Sequence, residues 1–417
     1  MPRWRGAVSL PTAKRTCSVP NGSCVEDVWW IDALQSTAGQ RLLDEIECHS
    51  LSPSNELRLV TALRERYPVP LIAAALAQTE LRVRARSKFT RASQMFFTRE
   101  GLEQASSERM ARHHATRFAP FASVIDLCTG IGGDLIGLSE NMRAIGVDRD
   151  PVHARLACIN ASVNGCAATA TCVCADVRSL ELAGIPAVFV DPARRTEGRR
   201  LRGGTSEPPL GWCLALADDG KAVGIKAAPG LPLDLVPAGW EIEFVAERRE
   251  LKESLLWSPM VATSMRRATI LPDRHTLVAQ GAATLPVGEP GMFLLDPDPA
   301  VTRAGLVAEL GILLGDCWKI DDEIGFLSAD FPMRTPFGRT LRVEASMPWS
   351  LARLRDALRG LGVGHIDIRK RGSAVDVDEV QRRLKLHGTR PATVVLTRVA
   401  NRPWALVCSL LDEPRST

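Results

Sequence analysis

The sequence predicts an α/β fold, a doubly wound parallel sheet preceded by a helical segment and followed by a smaller α+β layer. Three observations carry this. Short apolar runs alternate with helix-period segments from Val124 to about Leu285, the rhythm of strand–helix–strand crossovers. The first run, Val124-Ile-Asp-Leu127, breaks at Gly130-Ile-Gly132-Gly133 and resumes at helical spacing with Leu135, Ile136 and Leu138. Beyond Pro336-Phe337-Gly338 the order becomes strand, helix, strand, helix, strand, strand, which suits a compact α+β unit.

Residues 1–23 are expected to lie outside the fold. They carry Arg3, Arg5, Lys14 and Arg15 before the first acid, Glu26, and hold no long apolar run. They read as a disordered tail or an upstream start, not as a secretory signal. Residues 24–118 read as a helical domain. Ser54-Asn55-Glu56 caps a helix with Leu57, Val60 and Leu63 on one face, and Leu71–Leu81 forms another. Thr98 opens a further helix, and Ser106–Phe118 is helical. Before it, Phe96 and Phe97 either pack this domain onto the sheet or line a pocket; paired aromatics beside a hinge usually pack.

Residues 119–285 hold the sheet. Ala144–Val147, Thr169–Cys174, Ala187–Val190, Ala222–Ile225, Trp240–Ala246 and Arg267–Leu271 read as its later strands, the last of these closing it. Pro151–Asn164 is a helix between them. In residues 286–417 a proline-rich join leads into a helix over Ala300–Leu314. Strands follow at Thr340–Ala345, Val363–Ile368, Ala392–Val399 and Trp404–Leu410. Ser350 caps one helix of this layer, and Asp376 with Glu379 caps the other, expected to reach His387.

Composition narrows the class. The chain's 417 residues suffice for two or three domains, and 45% hydrophobic with 24% charged residues is the balance of a soluble globular protein. No stretch approaches the ~20 apolar residues of a membrane span. The 11 cysteines are odd in number and show no paired C-x-x-C spacing. They are expected to be reduced and structural in a cytoplasmic protein, with neither metal nor disulfides.

The glycine turn lets the backbone press close to a ligand and presents N–H groups at a helix start. Asp148 follows eighteen residues after Gly130, at the end of the second strand, where a carboxylate can hold both hydroxyls of a ribose. A dinucleotide fingerprint needs G-x-G-x-x-G, but Leu135 occupies the third place. S-adenosylmethionine (SAM) is the alternative nucleoside ligand. The strand Ala187–Val190 delivers Asp191-Pro192-Ala-Arg194-Arg195 at the sheet edge where ligands sit. A carboxylate fixed there by a proline can accept hydrogen bonds from an amine about to be alkylated. Arg195, Arg199 and Arg200 follow in a loop too polar for a core, placed to reach a phosphate or simply exposed. Lys226 follows the next strand, Ala222–Ile225, at the start of its loop. Glu250, Lys252 and Glu253 stand beside Leu251, Leu255, Leu256 and Trp257, as the wall of an active site or as an exposed ion-pair cluster.

Charge is unevenly spread. Arg82–Phe118 holds nine bases against three acids, and Arg339–Arg402 fourteen against six. These excesses of +6 and +8 within a chain of net +4 leave the remainder at −10. Basic charge gathered into two segments of an otherwise acidic protein suggests a polyanion partner, against the plainer reading of an arginine-rich surface.

The blocks M-F-F-T-R-E-G-L-E-Q, D-L-C-T-G-I-G-G-D, D-R-D-P and D-P-A-R-R resemble bacterial class I SAM-dependent methyltransferases with a C-terminal THUMP-like domain. The segments D-P-D-P-A-V-T-R-A-G and I-R-K-R-G-S-A-V-D resemble that domain. The order of motifs is also similar to the trimethylguanosine-synthase family of RNA guanine-N2 methyltransferases. The resemblance implies a Rossmann-like sheet and SAM as cofactor, with Asp126, Gly130 and Gly132 in the cofactor motif. It also implies Asp148 at the ribose and Asp176 at the adenine. Asp191-Pro192 matches the start of the [DNS]-P-P-[YFW] motif of amino-methylating enzymes. The chain departs from that motif with Ala193 for the second proline and Arg194 for the aromatic. D-P-A-R is similar as well to the D-P-P-R of enzymes that methylate pyrimidine carbon, which need a cysteine nucleophile.

The expectation is therefore a SAM-dependent methyltransferase acting on an exocyclic base amine in RNA. Asp191, Pro192 and Arg194 would stand at the transfer site, and Arg195, Arg199, Arg200, Lys226, Glu250 and Lys252 would contact substrate. A protein or small-molecule methyltransferase, and a SAM-binding RNA module without catalysis, are the alternatives.

Overall fold

A computed structural model describes residues 24–49, 53–193, 195–196, 199–200 and 206–411; the expected tail at 1–23 lies outside them. The chain forms two compact units. One ends at Ala227 and is rejoined by Leu256–Val261; the other comprises Ala228–Leu255 and the chain from Ala262 onward.

The first unit opens with four helices, α1 (Cys24–Gln35), α2 (Thr37–Glu47), α3 (Pro53–Leu63) and α4 (Val69–Ala85). Ser36 starts α2 by accepting the Gly39 N–H, and Leu42, Leu43 and Ile46 bury one face of it. Thr98 caps α5 (Arg99–Gln104) and Ser107 caps α6 (Glu108–Thr116), each through a side-chain oxygen on a backbone N–H. The strands β1 (Ser123–Leu127), β2 (Arg143–Asp148), β3 (Ala170–Cys174), β4 (Ala187–Val190) and, after the short ladder β5 (Arg195–Thr196) with β6 (Arg199–Arg200), β7 (Ala222–Ala227) follow. β3-β2-β1-β4-β7 lie side by side in that order, all parallel. The helices α7 (Gly133–Ser139), α8 (Pro151–Val163) and α9 (Leu210–Ala215) connect them.

Val188, Phe189, Val190, Val223 and Ile225 are fully buried, so the central strands read as unbroken apolar runs. Strand order reverses between β1 and β4, which leaves a crevice beyond their carboxyl ends. That crevice is where the glycine turn and Asp191 emerge.

The second unit begins with β8 (Glu241–Glu247) and β9 (Glu250–Trp257), joined by Arg248 and Arg249 at φ 53° and 61°. β10 (Arg266–Leu271) runs parallel to β8. It is not the closing strand expected from sequence: β11 (His275–Val278) returns antiparallel to it. β12 (Phe293–Pro297) precedes α10 (Pro299–Arg303) and α11 (Val307–Leu314). The single helix expected over Ala300–Leu314 is broken because Gly305 adopts φ 67°.

β13 (Trp318–Lys319), β14 (Leu327–Ala329), β15 (Gly338–Pro348), α12 (Leu351–Gly360), β16 (Val363–Lys370), α13 (Val377–Leu384), β17 (Arg390–Val399) and β18 (Arg402–Leu410) complete the unit. Its sheet runs β13-β14-β12-β15-β18-β17-β16. α13 stops short of His387 because Lys385 turns left-handed at φ 45°. Period-2 alternation divides the core. Val394, Leu396, Ala405 and Val407 meet Leu354 and Leu358 of α12 and Val380 and Leu384 of α13. Val395, Leu406 and Cys408 face Ile320, Ile324 and Phe326 on the other side. Burial of each such side chain contributes roughly 1.5–3 kcal/mol.

Candidate active site

The turn after β1 is folded tightly, with Cys128, Gly130 and Gly132 at φ 61°, 55° and 87°. Glycine at 132 is required twice over, because a Cβ there would also lie 3.0 Å from Ala157 Cα of α8. At Gly130 a Cβ would meet nothing within 4 Å, so the space before the turn is open. The Gly130 N–H donates to Asp148 Oδ2 at 2.8 Å, and the Asp150 N–H to Asp148 Oδ1 at 2.9 Å. Asp148 thus ties the turn to the end of β2, and each of its oxygens keeps a lone pair for a hydroxyl.

Asp126 is fully buried. Its Oδ2 accepts the Thr129 hydroxyl, and its Oδ1 has no hydrogen-bond partner among the described residues. Burial, together with the charge of neighbouring Asp134, raises its pKa well above the usual carboxylate range. Asp176 is exposed and caps the short turn Val177–Ser179. Hydrogen bonds from the Arg178 N–H and then its guanidinium hold that carboxyl below the ordinary value.

Asp191 follows β4 directly, and Pro192 behind it is buried. Lys226 Nζ at the end of β7 lies 2.7 Å from Asp191 Oδ2 and 2.9 Å from Ser106 Oγ. The Ser106 hydroxyl donates to Asp134 Oδ2 at 2.8 Å, and Asp134 Oδ1 lies 2.7 Å from His114 Nδ1. The His114 ring stacks on Phe189 with centroids 5.0 Å apart. Burial pushes the Asp134 carboxyl up, but the charge and hydrogen bond of His114, then Lys226 and Ser106, outweigh it and leave its pKa below the ordinary value.

Two buried amides fix the segment before the sheet. Asn160 accepts the Phe96 N–H at 2.9 Å and donates to the carbonyls of Phe96 and Ile131 at 2.9 and 3.0 Å. Gln78 pairs in the same reciprocal way with Phe97. Phe96 and Phe97 are buried, Phe97 against Phe89 and Phe96 beneath the Arg82 guanidinium, so these aromatics pack.

The structure therefore brings Asp126, Gly130, Gly132, Asp148, Asp191 and Lys226 around the carboxyl ends of β1, β2, β4 and β7. Arg194 lies outside the described residues, and of Arg195, Arg199 and Arg200 the backbone alone is described, in β5 and β6. Glu250 and Lys252 belong to the second unit, where both are exposed and pair with each other. Sequence reading missed Ser106, Asp134, His114, Asn160 and Gln78. The available signal was a polar side chain set among small or apolar neighbours, as at Asn160 in the alanine face of α8. Cys128 after β1 and Cys213 in α9 are poor nucleophiles: burial pushes the Cys128 thiol up, and that of Cys213 to about 12.

An open glycine cradle, a carboxylate pinned to it and a partnerless buried acid oxygen suit a nucleoside cofactor. Comparison decides which. The chain is 37% identical over 330 residues to an S-adenosylmethionine-dependent methyltransferase of Mycobacterium tuberculosis, covering 77% of this chain and 90% of the relative, in both strains CDC 1551 and H37Rv. The chain belongs to the S-adenosylmethionine-dependent methyltransferases. SAM is its cofactor, and the sheet of the first unit is the Rossmann-like sheet of that family.

Residues 338–410 of this methyltransferase match the THUMP domain-like family, and residues 27–85 match a domain of unknown function. A crystal structure from Porphyromonas gingivalis W83, assigned as a methyltransferase, shares the fold at a TM-score of 0.69 and 20% identity, over 92% of this chain and 97% of that one. Among the described residues no helix is long and apolar enough to cross a membrane, and no three side chains form a metal-binding group.

Proposed function

We propose that this methyltransferase modifies an exocyclic base amine in RNA. The observation that carries the reading is Asp191, presented at the end of β4 before Pro192 and held 2.7 Å from the Lys226 ammonium. SAM, when bound, supplies an electrophilic methyl group on a sulfonium. The chain's residues then have mainly to position and desolvate. Asp126, the glycine turn and Asp148 would seat the nucleoside, with Asp176 towards the adenine. Asp191 and the Pro192 carbonyl would accept the amine's N–H groups and aim its lone pair. Arg194 would stack on the base where related enzymes use an aromatic. Arg195, Arg199 and Arg200 would grip phosphate. The THUMP-like match and the basic excess over Arg339–Arg402 support RNA as the polyanion, with affinity that falls as salt rises.

Incubation with isotope-labelled SAM and total cellular RNA, followed by digestion to nucleosides, tests the reading. Label on the exocyclic nitrogen of one nucleoside is expected. Label only in protein or small metabolites, or none despite bound SAM, overturns it.

A further inference from the structure

The segment before the sheet reaches behind Asp191. Ser106 lies between α5 and α6, yet its hydroxyl accepts from Lys226 Nζ and donates to Asp134 Oδ2. The direction of these bonds is fixed chemically: an ammonium can only donate and an ionised carboxylate can only accept, so the hydroxyl accepts from the one and donates to the other. Beyond Asp134 stands His114, fully buried and stacked on Phe189. Ser106, Asp134 and Lys226 are all at least nine-tenths buried, so each polar bond forms out of water, where loss of a partner is costly. Asp191 is the exposed end: its side chain retains 25% of its accessible surface.

We propose that Ser106, Asp134 and His114 are positioning residues, a buried hydrogen-bonded chain that clamps Lys226 against Asp191 and so fixes the acceptor at the transfer site. This rests on the reading of Asp191 given above. None of the three touches the reacting atoms. Their work is to hold the ammonium in one place, so that Asp191 keeps one orientation while the amine it receives is alkylated. The helical segment before the sheet is thereby part of the active site and not only a cover on it.

The test compares Ser106→Ala and Ser106→Thr with the parent enzyme, using labelled SAM and total cellular RNA. Ser106→Ala should lower kcat roughly 10- to 100-fold through misplacement of Asp191, with KM for SAM unchanged, and Ser106→Thr should restore most of it. A Ser106→Ala enzyme with parental kcat overturns the proposal. A second readout needs no substrate. Lys226 acetylation by acetic anhydride, followed by mass spectrometry on the folded protein with S-adenosylhomocysteine bound, should be far slower than that of exposed Lys252. It should rise about fivefold in Ser106→Ala, the equivalent of one lost hydrogen bond, and fall back in Ser106→Thr. Unchanged Lys226 reactivity refutes the clamp. Failure of the parent enzyme to label any RNA refutes the RNA reading alone and leaves the acetylation result standing.

Discussion

Asp191 and Lys226 are paired at 2.7 Å because their strands are parallel neighbours in register. Val190 of β4 stands opposite Ile225 of β7, so the next residue of each strand emerges at the same height. A lysine buried to this degree is stabilised by a carboxylate beside it, and the bond in turn orients that carboxylate.

Asp191→Asn keeps the side chain's shape and removes the charge. Transfer should fall by about 100-fold or more, the scale seen when one preorganised polar partner is lost at a reacting centre. SAM affinity, measured by calorimetry, should be unchanged, because the glycine turn and Asp148 rest on β1 and β2. Unchanged turnover would remove Asp191 from the transfer site.

Gly101 bears on the cofactor turn from outside. A Cβ there would lie 2.4 Å from Ile131 Cγ2 and 2.7 Å from Thr98 Oγ1, and Ile131 is part of the turn. Gly101→Ala should therefore cost about 1–3 kcal/mol in overpacking. If half of that strain falls on the turn, S-adenosylhomocysteine should bind about two- to twelvefold more weakly. Gly211→Ala, whose Cβ would meet nothing within 4 Å, is the control and should bind as the parent does. Calorimetry on both variants checks this.

Asn160 makes three hydrogen bonds from a fully buried position. Asn160→Leu keeps the branched skeleton but strands the Phe96 N–H and the carbonyls of Phe96 and Ile131. At roughly 1–3 kcal/mol for each buried group left without a partner, and with partial relaxation, a loss of about 3 kcal/mol is expected in denaturant unfolding. A loss below about 1 kcal/mol would mean that another donor replaces the amide.

What could be read in advance follows from how local the signal is. The glycine turn, Asp148 and the strand carrying Asp191 were legible, because those residues also make the local strand–turn–helix pattern. Ser106 and His114 were not. They reach Asp134 across 28 and 20 residues, and no spacing rule links a serine between two helices to a carboxylate in the first turn of α7. Element ends failed for a backbone reason: Gly305 at φ 67° and Lys385 at φ 45° break helices whose side-chain periodicity runs on. The β11 return strand was invisible because His275–Val278 is short and half exposed. Charges beside Leu251, Leu255, Leu256 and Trp257 suit an active-site wall or an exposed ion pair alike, and no local pattern separates the two; Glu250 and Lys252 are exposed, and each meets the other.

Asp126 gives the enzyme a distinctive pH dependence. Burial and the nearby Asp134 raise its pKa well above the usual range, so the folded state binds a proton that the unfolded chain releases. The sign follows directly. Its contribution to stability is complete below the unfolded value near 4 and is lost as pH rises towards the folded value, at about 1.4 kcal/mol per pH unit. Asp134 behaves in the opposite sense: its folded pKa is depressed, so its contribution is present above the unfolded value and is lost as pH falls through the folded one. The two windows do not overlap above pH 5. Asp126→Asn mimics the protonated acid, and its amide oxygen can still accept the Thr129 hydroxyl. Denaturant unfolding without cofactor at pH 5, 6.5 and 8 should show the variant gaining on the parent as pH rises, until the folded value is passed. A difference independent of pH over that range would mean that Asp126 is ionised in the folded protein.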